Sequence, residues 1–279
     1  MSPPVARPMN QAPPRSLNLR FLSLGVLWAI NVVGLAVVAM VFLRGGVGAD
    51  WVIFSEAGER VVSSGLYDAE PWGYNYIYSP LLAYAWIVPL PLWAWLALHV
   101  LPLLTLPRHL AVLTLVSFPF WLDLYNGGMM VFLFVAAWHA LNGNRVGAGA
   151  FFALCLLAPR PPFLPAVLWL LWKRPAWRVP FVALVGVYGV AVLASGWGTE
   201  WVAALLSEPG YTGADRDFGP TRIIGYAWLI VGIPLAAWLT YRGRVGWAGL
   251  AVSPYITPQY AMVLLLEARP MLKSAGTRS

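Results

Sequence analysis

An all-α, polytopic transmembrane helical bundle of about eight to ten spans is what this sequence predicts, at one crossing per ~20 apolar residues. Three observations carry the prediction. Of 279 residues, 60% are hydrophobic and only 10% charged, against roughly 25% charged in soluble domains. The mean hydropathy is +0.69, and apolar runs near spanning length recur along the chain. Nine of the eleven acidic residues gather in two segments, 44–75 and 196–221. This excludes a soluble enzyme and a disordered chain. The single cysteine, Cys155, lies in an apolar run and excludes a disulfide scaffold. The pI of 9.8 does not indicate nucleic acid, because the basic residues sit at the ends of apolar runs rather than in a stripe.

Residues 1–20 read as a disordered cytoplasmic tail, Pro-rich, with Arg7, Arg15 and Arg20 and no acid. Phe21 to Leu43 is uncharged and too long for a signal-peptide core, so it reads as a retained first span. Three arginines before it and Arg44 after it place the N-terminus in the cytoplasm. Further apolar runs cover 76–90, 91–106, 109–125, 128–141, 146–172, 179–195, 222–241 and 246–266. The run 146–172 contains Pro159-Arg160-Pro161-Pro162 and is counted as one bent span, which puts Lys173, Arg174 and Arg178 inside. Arg242 and Arg244 follow at the next inside turn, and the two acidic segments fall outside. Ser253-Pro254 breaks the last run into one span or two half-spans. The transmembrane domain is 21–267, with a polar C-terminal tail over 268–279.

The first external loop has its own element. Trp51, Phe54, Gly58, Val61 and Val62 recur at helical spacing, which predicts an amphipathic helix lying in the interface, with Gly65 as its stop. Asp50 stands where an N-cap would stand. Glu56 and Arg60 have the spacing of a surface i,i+4 pair.

Other chemistries find no motif. His99, His109 and His139 fall on three different runs, and no metal site is predicted, although the two acidic loops leave a carboxylate-bound divalent ion open. The chain has no P-loop and no nucleophile elbow. No repeat relates its halves, which disfavours an inverted-repeat transporter.

Residues 50–80 read Asp-Trp-Val-Ile-Phe-Ser-Glu-Ala-Gly, then Ser-Gly-Leu-Tyr-Asp, then Tyr-Asn-Tyr-Ile-Tyr-Ser-Pro. This order resembles the first external loop of the polytopic GT-C glycosyltransferases. The family 87 type, the bacterial polyprenyl-phosphate-mannose-dependent alpha-mannosyltransferases, is the group it resembles most. The stretch from Arg145 to Arg174 and the Ser253-Pro254…Tyr260 segment extend the resemblance over most of 20–267. Two positions depart from the family pattern: Gly127-Gly128-Met129-Met130 stands where Gly-Gln-x-Asn is common, and Arg160-Pro161 where Lys-Pro is common.

The resemblance implies an integral membrane hexosyltransferase of the bacterial cell envelope, seated in the inner membrane. It would move a hexose, mannose by the family's usage, from a polyprenyl-phosphate donor to a hydroxyl of a lipid or glycan acceptor on the external face, with inversion. The lipid-linked sugar is a co-substrate, and no cofactor is implied. Asp50 matches the position of the general base. Arg160 matches the basic-Pro position and, with Arg222 and Arg216, is a candidate for the donor phosphate; an ion pair with Asp123 is the competing role for Arg160, and snorkelling for Arg222. Tyr67, Tyr74, Tyr76, Tyr78 and Glu56 are candidates for a substrate groove, with belt and core packing as their plainer roles. Two other functions remain on the page: a non-catalytic scaffold or lipid-binding protein of polysaccharide assembly, and a transporter or flippase subunit.

Overall fold

A computed structural model describes residues 16–63, 65–68, 76–207 and 219–268. Every regular element among them is helical. Three stretches are long and apolar enough to cross a membrane: Gly25–Arg44, Pro175–Ala194 and Arg222–Tyr241. They are only 6%, 6% and 11% buried, so their apolar side chains face outward. Outward apolar faces of this length suit an apolar environment better than water.

The first helix, α1 (Ser16–Arg44), starts ahead of the apolar run. Asn31 fixes it to the junction of α5 (Arg108–Leu115) and α6 (Phe118–Asn126). Its Nδ2 donates to the Val116 carbonyl at 2.9 Å, and its Oδ1 accepts the Phe118 N–H at 2.8 Å. Both ends of the Asn31 amide are thereby paired with backbone from the facing helices. The loop helix α2 (Ala49–Arg60) follows, then α3 (Pro80–Ala85) and α4 (Leu92–Val100). The core is built on α7 (Met130–Leu141), whose residues are almost all buried.

Two of the remaining apolar runs, 146–172 and 246–266, fold as hairpins. The 146–172 run is not one bent span. It forms α8 (Arg145–Leu157), a break at Pro159–Pro162, and α9 (Leu164–Lys173) returning to where α8 began. The return is fixed by Arg174: a β-carbon at Gly143 would lie 2.9 Å from its guanidinium. The prolines remove amide donors and force extended backbone before them, so the helix cannot continue. The last run behaves alike. Helix α14 (Val245–Val252) ends at Ser253-Pro254, and a 3₁₀ helix (Pro258–Ala268) runs back until Glu267 accepts from the Gly246 N–H at 2.8 Å.

Between the hairpins run α10 (Arg178–Ala194), α11 (Gly198–Ser207), the single turn α12 (Thr221–Ile224) and α13 (Trp228–Tyr241). The bundle therefore has two chemically different ends. At one end lie the turn at 142–144, Arg145, Lys173, Arg174, Arg242 and Arg244, tied by the Trp172–Tyr241 stack at 5.5 Å and the Arg244–Glu267 pair at 3.3 Å. At the other end, one α7 length away or about 18 Å, lie the start of α2, the two hairpin breaks and the end of α10. Trp197 Nε1 donates there to the Val61 carbonyl at 3.1 Å, and Trp201 Nε1 to that of Ile77 at 3.2 Å.

Candidate active site

The site lies at the end opposite the basic turns. Helix α2 begins after Gly48, whose φ of 91° is in the left-handed region that glycine alone enters at no steric cost. The Gly48 N–H donates to the Tyr125 carbonyl at 2.7 Å, and Trp51 Nε1 to that of Leu90 at 2.8 Å. Phe54, Ala57 and Gly58 are buried. A β-carbon at Gly58 would lie 2.1 Å from the Trp86 carbonyl, so the helix rests directly on the end of α3. These contacts correct the sequence reading in three places. Gly48, not Asp50, is the N-cap. The helix stops at Arg60 rather than Gly65, and Val62 is exposed. Asp50 sits instead in the first turn, where the helix dipole favours a carboxylate. Its side chain is 22% exposed.

A second carboxylate approaches from α6. Asp123 is fully buried and accepts the N–H groups of Met130 at 3.3 Å and Val131 at 2.9 Å, closing the first turn of α7. Gly128 separates the two acids: a β-carbon there would lie 2.3 Å from Asp123 Oδ1 and 3.2 Å from Asp50 Oδ2. His99, also buried, bridges the carbonyls of Trp95 and Gly128 at 2.9 and 2.8 Å and holds this turn from behind.

Arg160 completes the site from the first hairpin break. Its partner is Asp50 rather than Asp123: Nη2 lies 3.9 Å from Asp50 Oδ2. That is a charge contact, longer than a hydrogen bond. The guanidinium lies 4.9 Å from the Tyr78 ring centroid, and Nη2 donates to the Tyr78 hydroxyl. Tyr78 is held there by the bond from the Ser79 N–H to the Leu157 carbonyl at 3.2 Å. The Arg160 side chain is 8% exposed, and its Nε–H is buried without a partner. Arg160 and Tyr78 line a cavity of about 570 Å³ whose other walls, including Cys155, Leu164, Phe181 and Leu205, are almost wholly apolar. Tyr255, from the second hairpin break, lines the same cavity. Asp50 does not line it and meets it through Arg160.

The other predicted residues divide. Tyr67 is half-buried and donates to the Tyr78 carbonyl at 3.1 Å. Burial, with Tyr188 and Glu200 nearby, pushes its hydroxyl well above the usual phenol range, so it stays a donor. Tyr76 is buried, bonded to the Ser79 carbonyl at 2.8 Å, and belongs to the packing beneath Tyr78. Glu56 pairs with Arg60 at 4.0 Å along the helix. Arg222 is exposed at the start of α12 and is not among the cavity-lining residues. Arg216 and Tyr74 lie outside the described residues. Among the described residues, no three His, Cys, Asp or Glu side chains converge. Sequence reasoning missed Tyr255 as a wall residue; its position beside Ser253-Pro254 was the available signal.

Fold and site together define an all-helical protein with helices long and apolar enough to cross a membrane. Its paired carboxylate and buried guanidinium stand at the head of an apolar cavity. No protein-family model, curated protein or solved structure matches the chain.

Proposed function

We propose that the chain is an integral membrane glycosyltransferase. It transfers a hexose, mannose first, from a polyprenyl-phosphate donor to an acceptor hydroxyl. One observation carries the reading: Asp50 and Arg160, remote in sequence, meet at 3.9 Å beside an apolar cavity of about 570 Å³. A lipid-linked sugar phosphate needs these parts: an apolar wall for the chain, a cation for the phosphate and a carboxylate for the acceptor. The basic turns at the far end mark the cytoplasmic side under the positive-inside rule. On this reading the site faces the exterior, in the bacterial cell membrane the resemblance implies.

In the reaction, the acceptor oxygen attacks the anomeric carbon and Asp50 takes its proton. The bond from that carbon to the phosphate oxygen breaks. The electron pair leaves with the polyprenyl phosphate, whose charge Arg160 holds, and attack opposite the leaving group inverts the centre. Base catalysis of this kind contributes ~10²–10⁴-fold.

Wild type and Asp50→Asn, in membranes supplied with labelled polyprenyl-phosphate-mannose, test the proposal. Label in extracted glycolipids with wild type, lost with a folded Asp50→Asn, is the expected result. No transfer and no donor binding by wild type overturns it and favours the scaffold or transporter.

A further inference from the structure

Two buried donors near the cavity are unmatched. Arg160 Nε and the Tyr260 hydroxyl each lie out of solvent with no hydrogen bond of ordinary geometry. Leaving such groups unpaired is costly, and both stand in one cluster. The first hairpin break supplies Arg160, the second supplies Tyr255, and the 3₁₀ helix that follows supplies Tyr260, whose ring packs 5.5 Å from that of Tyr255. Helix α14, which leads into the second break, is pressed onto the first break at Gly249, where a β-carbon would lie 2.1 Å from the Pro162 carbonyl. Tyr255 and Arg160 line the same cavity, and the Tyr260 ring packs directly against Tyr255. Tyr255 reaches the cavity wall, while Tyr260 stands fully buried behind it.

We infer that the second hairpin break completes an anion site with Arg160, built for a phosphate monoester or diester carried on an apolar chain. Tyr255 donates its hydroxyl to the phosphate beside the Arg160 Nε–H, and Tyr260 is a positioning residue that aims Tyr255. This rests on the phosphate role given to Arg160 above and adds the part of the site contributed from the other end of the chain. The chemistry of the cluster favours an anion: arginine only donates, and a neutral tyrosine hydroxyl donates one proton. The apolar walls favour a lipid-borne phosphate over a free one.

Binding to the full chain in lipid nanodiscs tests the inference, with farnesyl phosphate, farnesol and inorganic phosphate as probes. Wild type is expected to bind farnesyl phosphate roughly tenfold or more tightly than farnesol, as a hydrogen-bonded charge implies. Tyr255→Phe should erase most of that difference and leave farnesol binding unchanged. Tyr260→Phe should reduce it less. It should also leave the unfolding temperature without ligand close to that of wild type, because the ring packing against Tyr255 is kept. A merely structural tyrosine would lower that temperature and weaken both probes together. If both variants keep the full preference while Arg160→Gln loses it, the tyrosine assignment falls and the Arg160 phosphate role stands. If wild type binds farnesol and farnesyl phosphate equally, the phosphate role falls too. Inorganic phosphate competing at the same concentration as farnesyl phosphate overturns the lipid-borne assignment.

Discussion

Asp50 and Asp123 approach the same glycine and do different work. Asp123 is spent on two backbone amides of α7 and is fully enclosed, whereas Asp50 is partly open and faces a cation. Removing the first is a stability event. Asp123→Ala should cost ~2–4 kcal/mol by unpairing two buried amides, read as a lower thermal midpoint in detergent. Removing the second is an activity event: Asp50→Asn should leave the midpoint within a few degrees and lower transfer ~10²–10⁴-fold. Gly128→Ala should do both, since its β-carbon would enter the space of both carboxylates. Asp50 was legible as a candidate because it matches the base position of the resembled family and stands at a span boundary, and Arg160 because an arginine inside an apolar run is expensive. Their pairing was not legible, and Asp123 was the nearer guess for Arg160 among intramembrane acids. Glu56 and Tyr76 show the opposite case, where the bland expectation of a surface pair and a packed aromatic describes what the structure contains.

At the level of elements, the two hairpins separate what sequence can and cannot give. Three prolines within 159–162 announce a break plainly. They do not say whether the chain continues across or turns back, because either path breaks the helix at the same residues. The answer lies in tertiary contacts, Arg174 beside Gly143 and Glu267 on Gly246, which have no local signature. With Cys155 replaced by Ala, single cysteines at Asn144 and Lys173 should react with an impermeant thiol reagent from one side, and one at Thr199 from the other. Opposite labelling of Asn144 and Lys173 would restore a single bent span. Gly249→Leu should destabilise the bundle by ~1–3 kcal/mol or more, because it drives α14 off the Pro162 backbone. It should also weaken donor binding by moving Tyr255, which a titration with the same farnesyl phosphate would show.

Across the whole molecule, composition pointed to helices of spanning length, and three 20-residue stretches only 6–11% buried are long and apolar enough to cross a membrane. The polarity was also legible, since basic residues at run ends predict a charged end and the structure gathers them there. What composition could not give is the number of complete crossings. Helices α8, α9 and α14 have 13, 10 and 8 residues, or about 20, 15 and 12 Å, against a hydrocarbon core of ~30 Å. That shortness bears on biogenesis. A segment of 8 to 13 residues is a poor substrate for lateral release into lipid when it leaves the insertion machinery alone, and its broken end would carry bare amides and an arginine into hydrocarbon. The half-helices are therefore shielded only once their partners from both halves of the chain have been made. Integration of the first hairpin has to wait for synthesis of the second: a nascent chain halted after Lys173, though held by α1, should leave the 145–173 hairpin open to added protease, where one halted after Ala268 protects it.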